Sequence, residues 1–388
     1  MARTIVILGA SYAGVPIAHY LLKHTAAKVN GLKVIVVAPN THLYWNFASV
    51  RGILPNMLDD DKLFYPLAPA FAKYPSDRYE LVQGVAEKVD PSGNVVQVRG
   101  HDGSAREIRY DELVIATGSS FKSDMPFKNL SSTGKTKDAL HDWVERIKTA
   151  QSIVVAGAGA TGIEVAGELG QEYAATGKKQ ITLVCDQDLP LSSKFKRDVR
   201  ETAKKELERL KVKVITNAKV TGNTSTKTIT LMKTSEPSTT TTLTADLLIP
   251  TYGVVPNTSF LPASMLDSRG FVNQTAALRA EGFDNIFVVG DAGNLEDPQA
   301  VHTDAQVVHV VKLIEARLQG RGAAAVPPYK PADKIMFAAT LGRNRGTGQM
   351  GNWRLWSWLV WLAKGRYLGT DYAGALVSGE RTLRVKDW

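Results

Sequence analysis

Residues 9–14 read Gly9-Ala10-Ser11-Tyr12-Ala13-Gly14. A β-branched run, residues 4–8 (TIVIL), precedes them. After them come Val15, Ile17, Ala18, Leu21 and Leu22, apolar residues at the spacing of a buried helix face. Residues 33–37 (KVIVV) supply the next strand. Strand, glycine turn, helix and strand in that order make a dinucleotide-binding unit, whose turn normally reads G-x-G-x-x-G. Here Ser11 stands where the middle glycine should be.

A second copy decides how to read the first. Residues 152–156 (SIVVA) form a strand, and Gly157-Ala-Gly159-Ala-Thr161-Gly162 is an intact G-x-G-x-x-G. A helix opens at residue 163, and residues 181–184 (ITLV) are the following strand. The first glycine of such a turn allows tight reversal. The second admits a pyrophosphate to the backbone, and the third lets helix and strand pack closely. The helix N-terminus then offers free N–H groups and the positive end of its dipole to the phosphates. At Ser11 a hydroxyl replaces the close approach and can itself donate to a phosphate oxygen. The first turn is thus a variant, and the chain is α/β with two Rossmann-like domains.

The acid that usually ends the second strand of each unit is irregular. In the first unit the position is near Ala38, followed by Pro39 and Asn40, so Asn40 is the nearby polar group for ribose hydroxyls. In the second unit Cys185 is followed by Asp186 and Asp188. An acid there favours a free ribose 2′-hydroxyl, hence NADH over NADPH. Lys194, Lys196 and Arg197 lie close enough in sequence to leave that choice open.

Three further strand ends complete the pattern: residues 113–118 (LVIATG, with Thr117 and Gly118), 247–253 (LLIPTYG) and 286–291 (IFVVGD, with Gly290 and Asp291). In this order, over residues 4–325, the motifs resemble the two-dinucleotide-binding-domain flavoproteins. The resemblance implies a discontinuous FAD domain with an NAD(P)H domain inserted. The expected boundaries are 1–122 and 253–328 for FAD, 123–252 for NAD(P)H, and a small α+β region over 329–388. Within that family the chain is most similar to the apoptosis-inducing-factor-like group, in particular the ferroptosis-suppressor type of NAD(P)H:quinone oxidoreductase. The element Asn46-x-x-x-x-Arg51 and the stretch Gly342-Arg-Asn-Arg-Gly-x-Gly-Gln349 carry that likeness. It implies that Gly9, Ala10, Ser11, Tyr12, Ala13, Gly14, Arg51, Val85, Thr117, Gly118, Gly290 and Asp291 hold FAD. Gly157, Gly159, Thr161, Gly162 and Asp186 would hold NADH or NADPH. A more distant likeness, to type II NADH dehydrogenases, rests on Ala305-Gln306, on a helix whose start would face the flavin. Two features depart from the group: Ala38 replaces its usual acid, and residue 2 is Ala, so the glycine needed for N-myristoylation is missing.

Glu164, two residues past Gly162, is a candidate for orienting the nicotinamide or relaying a proton. A solvated or capping glutamate in a first helical turn is the competing reading. His302 is a candidate proton donor to the acceptor, set against a surface or packing role, and His309 stands likewise. The chain has one cysteine, Cys185, which excludes a disulfide framework, a cysteine pair beside the flavin and a cysteine-based zinc site. No metal site is expected. Electrons would therefore leave the flavin directly, to a quinone, another small organic acceptor or oxygen, and the resemblance implies a quinone-like acceptor. The alternatives are a pathway-specific enzyme acting on a small organic metabolite, with oxygen as one acceptor, and a redox protein that binds nucleic acid.

The formal net charge is +9, and residues 330–388 hold ten Lys/Arg against four Asp/Glu. Residues 353–364 contain four tryptophans, flanked by Arg354 and Lys364. This is the composition of a helix lying in a membrane interface, with core packing or a dimer contact as the other readings. Residues 224–244 are Thr-rich and read as a hairpin broken at Glu236-Pro237. No secretory signal precedes the first strand, so the expected location is cytoplasmic, with peripheral contact to an intracellular membrane.

Overall fold

The computed structural model describes residues 3–223, 227–321 and 325–388. Two sheets with parallel cores dominate it. The larger has seven strands: β1 (Arg3–Leu8), β2 (Leu32–Ala38), β3 (Tyr79–Asp90), β4 (Val95–Gly100), β5 (Ala105–Arg109), β6 (Glu112–Ile115) and, far along the chain, one at Ile286–Val288. Their order is Ile286–Val288, β6, β1, β2, β3, β4, β5. The first five run parallel, while β3 continues past β2 into an antiparallel meander with β4 and β5. β1 and β6 are apolar on both faces because both faces are covered: Ile5, Val6, Ile7, Leu113, Val114 and Ile115 are all fully buried.

The second sheet is built from β7 (Ser152–Ala156), β8 (Gln180–Val184), β9 (Lys213–Ile215) and β10 (Leu247–Pro250), ordered β9-β8-β7-β10 and parallel throughout. Every strand of this sheet lies between β6 and Ile286–Val288 in sequence, so one unit is inserted in the other. The Thr-rich segment pairs Thr228–Lys233 antiparallel with Thr240–Thr244, as the hairpin reading expects, while residues 224–226 of that reading lie outside the described residues. Thr228–Lys233 also pairs with Ala218–Asn223.

Three helices position the site: α1 (Gly14–Tyr20), α2 (Ala160–Leu169) and α3 (Ala300–Leu318). α1 and α2 follow the two glycine turns directly. Pro16 is tolerated in α1 because it falls in the first turn, where no intrahelical N–H is required. The C-terminal region is a three-stranded antiparallel sheet (Met336–Thr340, Gly346–Met350, Trp353–Leu355), then a short helix (Ser357–Val360) that widens into a π turn (Trp361–Gly365), then a helix at Thr370–Val377.

This region is fastened to the larger unit. Trp388 Nε1 donates to the Pro16 carbonyl at 2.8 Å, and the buried His19 ring bonds the Val377 carbonyl at 2.8 Å and the Tyr74 hydroxyl at 2.9 Å. Burial holds the His19 imidazole neutral, its pKa pushed down to about 3. Trp45, 1% exposed, donates to the Leu368 carbonyl and packs edge-on against Tyr12, Phe47 and Tyr372.

Candidate functional site

The two glycine turns have the same internal geometry. A Cβ on Gly14 would lie 1.9 Å from the Gly9 carbonyl oxygen, and one on Gly162 would lie 1.8 Å from that of Gly157. Gly9 and Gly157 adopt φ of 110° and 101°. The first and third positions are thus required by the fold itself. The middle position is not: a Cβ on Gly159 would meet nothing within 4 Å. Ser11, its counterpart, breaks no packing rule, and the demand for a glycine there comes only from what the turn receives.

A cleft opens at the C-terminal ends of the larger sheet, where open α/β sheets place their ligands. Ser11, Tyr12 and Ala13 form one wall, and Asn46 and Phe47 a second. Thr117, Gly118 and Ser119 follow β6, and Gly290 and Asp291 follow the strand Ile286–Val288. The start of α3 closes the cleft with Pro298, Gln299, Ala300 and Thr303. The N-terminal end of α3, the positive end of its dipole, is thus turned toward the cleft.

Asp291 anchors the cleft. Its Oδ2 accepts from Ser119 Oγ and from Lys128 Nζ, both at 2.8 Å, which leaves Oδ1 as an available acceptor. Burial works against the ionised form, but the Lys128 ammonium and the Ser119 hydroxyl outweigh it and hold the carboxyl below its ordinary value. Thr117 Oγ1 donates to the Asn257 carbonyl at 2.7 Å, and Asn257 Nδ2 returns a bond to the Thr117 carbonyl at 2.9 Å. This pair stitches the cleft to the chain as it leaves the inserted unit. Burial, then the nearby Tyr372 and Asp304, push the Tyr12 phenol well above its ordinary value, so it stays protonated.

Lys128, Ser119 and Asn257 carry no motif and were missed in the sequence. Only their place in the fold brings them to the cleft, Lys128 and Ser119 onto Asp291 and Asn257 onto Thr117. Ala38 is 3% exposed at the end of β2, and the neighbouring Asn40 is also buried, with Thr133 Oγ1 3.4 Å from its Oδ1.

Other predicted residues stand elsewhere. Arg51 does not line the cleft. It is buried, and its Nε and Nη2 donate to Glu168 Oε1 at 3.1 and 2.7 Å while Nη2 also reaches the Gly365 carbonyl at 3.0 Å. Burial pushes the Glu168 carboxyl up despite Arg51. Val85 is 48% exposed on β3 and is not among the cleft residues. His302 lies on the far side of α3, its Nδ1 bonded to the Asp297 carbonyl at 2.9 Å. Gln306 faces inward, accepting from the Gly290 amide at 2.9 Å.

Glu164, one helical turn before Glu168, is 6% exposed, so the solvated reading of it fails. Its Oε1 accepts from Lys364 Nζ at 2.6 Å, from the Thr340 amide at 2.9 Å and from Thr340 Oγ1 at 3.3 Å. Lys364, which the sequence placed only at the edge of the tryptophan-rich segment, thus stands at the second turn of α2, the helix that follows the second glycine turn. Cys185 is buried, with Sγ on the Leu189 carbonyl, and burial raises its thiol pKa.

In the second unit Asp186 is exposed beyond the end of β8. The nearby cations are engaged: Arg200 with Asp188, Arg197 with Asp188 and Glu201, and Lys194 with Asp297. Among the described residues no cluster of His, Cys, Asp and Glu could hold a metal.

Two nucleotide turns in nested sheets, with a carboxylate-anchored cleft at the ends of the first, define a two-dinucleotide-domain flavoprotein. The family profile described as pyridine nucleotide-disulphide oxidoreductase matches residues 3–307. The chain belongs to that family and is an FAD-dependent NAD(P)H oxidoreductase. It is 40% identical to Oxidoreductase ptaL of Pestalotiopsis fici, over 92% of this chain and 94% of that one. It is 25% identical to ferroptosis suppressor protein 1 of Mus musculus, over 94% and 93%. The sulfide:quinone oxidoreductase of Aquifex aeolicus shares the fold, with a TM-score of 0.76 at 15% identity, covering 97% of this chain and 92% of that one.

Proposed function

We propose that the protein oxidises a reduced nicotinamide cofactor and delivers the electrons to a quinone-like acceptor. When bound, FAD would supply the redox chemistry, taking up hydride and giving electrons onward. The residues of this chain would position the two cofactors. Asp291 would accept from the ribityl hydroxyls, and the amides of residues 11–13 would meet the pyrophosphate. The start of α3 would stabilise negative charge at the flavin edge. Glu164, held by Lys364 and Thr340, would orient the nicotinamide end of the second cofactor.

The observation that carries the acceptor class is the surface next to Lys364. Trp353, Trp356 and Trp358 are 78%, 64% and 57% exposed, with Leu362 and Met350 also exposed beside them in the chain. Tryptophans are mostly buried in soluble folds, and an apolar patch of this kind marks a binding surface. Core packing is excluded for these three. With Arg354 and Arg366 in the same segment, the patch has the chemistry of a membrane interface. A lipid-soluble acceptor would be met there. No described helix is long and apolar enough to cross a membrane, so contact would be peripheral. The relative solved from Aquifex aeolicus is named for its action on a quinone, which supports the reading. A pair of cysteines is absent from the sequence, so no thiol relay stands between flavin and acceptor.

Asp186 supports NADH as the donor, because its carboxylate is free to take ribose hydroxyls and would repel a 2′-phosphate. Steady-state kinetics with NADH and NADPH against short-chain ubiquinone, menadione and oxygen test both parts. The expected result is quinone turnover far above the oxygen rate, with NADH the better donor. Turnover confined to oxygen, or none with any quinone, would overturn the acceptor assignment and favour a pathway-specific metabolite.

A further inference from the structure

A second hollow lies on the opposite side of α3 from the cleft. It has a volume of about 470 Å³, within the range of small-molecule sites, and shares no lining residue with the cleft. His302, Ala305, Val308, His309 and Lys312 lie along one face of α3 and form its floor. The opposite wall is the segment from Pro327 to Ala332, and Arg384 closes one end.

The walls are held in place. Tyr329 is 7% exposed, donates its hydroxyl to Glu296 Oε2 at 2.8 Å and stands edge-on to the His309 ring at 5.5 Å. The Ala332 amide donates to Glu296 Oε1 at 2.9 Å, and Gln306 Nε2 occupies Oε2 from behind at 2.9 Å. Glu296 thus braces the wall through three neutral donors and does not itself line the hollow. Arg384 is fixed by the Val301 carbonyl at 3.0 Å and by Asp304 at 3.7 Å.

Charge is the second feature. Lys312, Lys330 and Arg384 come from three separate stretches of chain and converge on the hollow with His302, and among the described residues no carboxylate lines it. Neither Lys312 nor Lys330 has an ion pair among the described residues. Like charges gathered over an apolar floor repel one another, and an anion of matching shape relieves that repulsion. Between these cations, floor and wall contribute apolar and aromatic surface from Ala305, Val308, Pro327, Pro328 and Tyr329.

From this we infer that the hollow behind α3 is a binding site for a small aromatic anion, separate from the flavin cleft. The aromatic body packs between the prolines, Tyr329 and the apolar face of α3. The anionic group, a carboxylate or a phosphate, meets Lys312, Lys330 and Arg384.

Isothermal titration of the FAD-loaded protein with 2-naphthoate, 1-naphthyl phosphate and neutral 2-naphthamide tests the site. At least one anion binds one-to-one and roughly tenfold or more tighter than the amide, and added salt weakens it. The tighter of the two anions identifies the ligand as carboxylate or phosphate. Lys312→Glu combined with Lys330→Glu lowers that affinity roughly tenfold or more, with flavin absorbance and NADH oxidation unchanged. Anions that bind no better than 2-naphthamide, or binding indifferent to the double charge reversal, overturn the proposal.

Discussion

Glu164 and Lys364 stand 2.6 Å apart across 200 residues of chain. One lies a turn inside the helix after the second glycine turn, and the other ends the tryptophan-rich segment. The bond joins α2 to the segment that carries the exposed tryptophans. One turn along α2, Glu168 repeats the arrangement with Arg51, whose guanidinium also reaches Gly365, the neighbour of Lys364. A single short stretch of the C-terminal region therefore closes over two buried carboxylates.

Removing the lysine separates positioning from binding. Lys364→Met lowers kcat for quinone reduction by roughly tenfold or more while the flavin spectrum is retained. Glu164→Gln keeps an acceptor for the Thr340 amide and Lys364, and has the smaller effect. Stopped-flow reduction by NADH, followed by quinone reoxidation, shows which half-reaction slows. Unchanged rates for Lys364→Met would remove the pair from the machinery.

The neighbouring pair is structural. Glu168→Ala leaves the Arg51 guanidinium buried without its carboxylate, and breaking a buried pair from one side costs about 3–5 kcal/mol. Thermal denaturation is the measurement, and a shift of less than about 2 °C would show that the site relaxes around the loss.

The first turn tolerates its serine but not a change at its last glycine. Gly14→Ala places a methyl group 1.9 Å from the Gly9 carbonyl, so the variant loses FAD or fails to fold. Ser11→Gly leaves α1 and β1 undisturbed and retains FAD within about twofold of the parent protein, by absorbance ratio after gel filtration.

The tryptophan platform separates membrane from solution activity. Trp353→Ser with Trp356→Ser and Trp358→Ser reduces cosedimentation with anionic phosphatidylserine vesicles by roughly tenfold, since each indole contributes apolar area and interfacial preference. Turnover with tail-less menadione in vesicle-free solution stays the same. If the variant instead changes only the oligomeric state by light scattering, the platform is a subunit contact.

The glycine turns, the strand ends and Asp291 were legible because each is encoded within about ten residues. A turn that needs φ near +110° at Gly9, or contact closer than a Cβ allows at Gly14, writes itself locally. Arg51 shows the limit of motif reading: its place after the first unit was recognised by resemblance, but packing directs its side chain into α2 and away from the cleft. His302 has helical spacing compatible with either face of α3, and only the rotation of that helix settles which.

By itself, then, the sequence determined the two nested nucleotide units and the order in which they occur, because backbone sterics and apolar periodicity act over short stretches. Tertiary structure alone decided which charges are paired. Lys128 reaches Asp291, Lys364 reaches Glu164 and Arg51 reaches Glu168 across separations that no local pattern records. It also decided that three of the four clustered tryptophans face outward. Their composition was compatible with a core, and exposure depends on how the C-terminal sheet docks, which is set by contacts between distant elements.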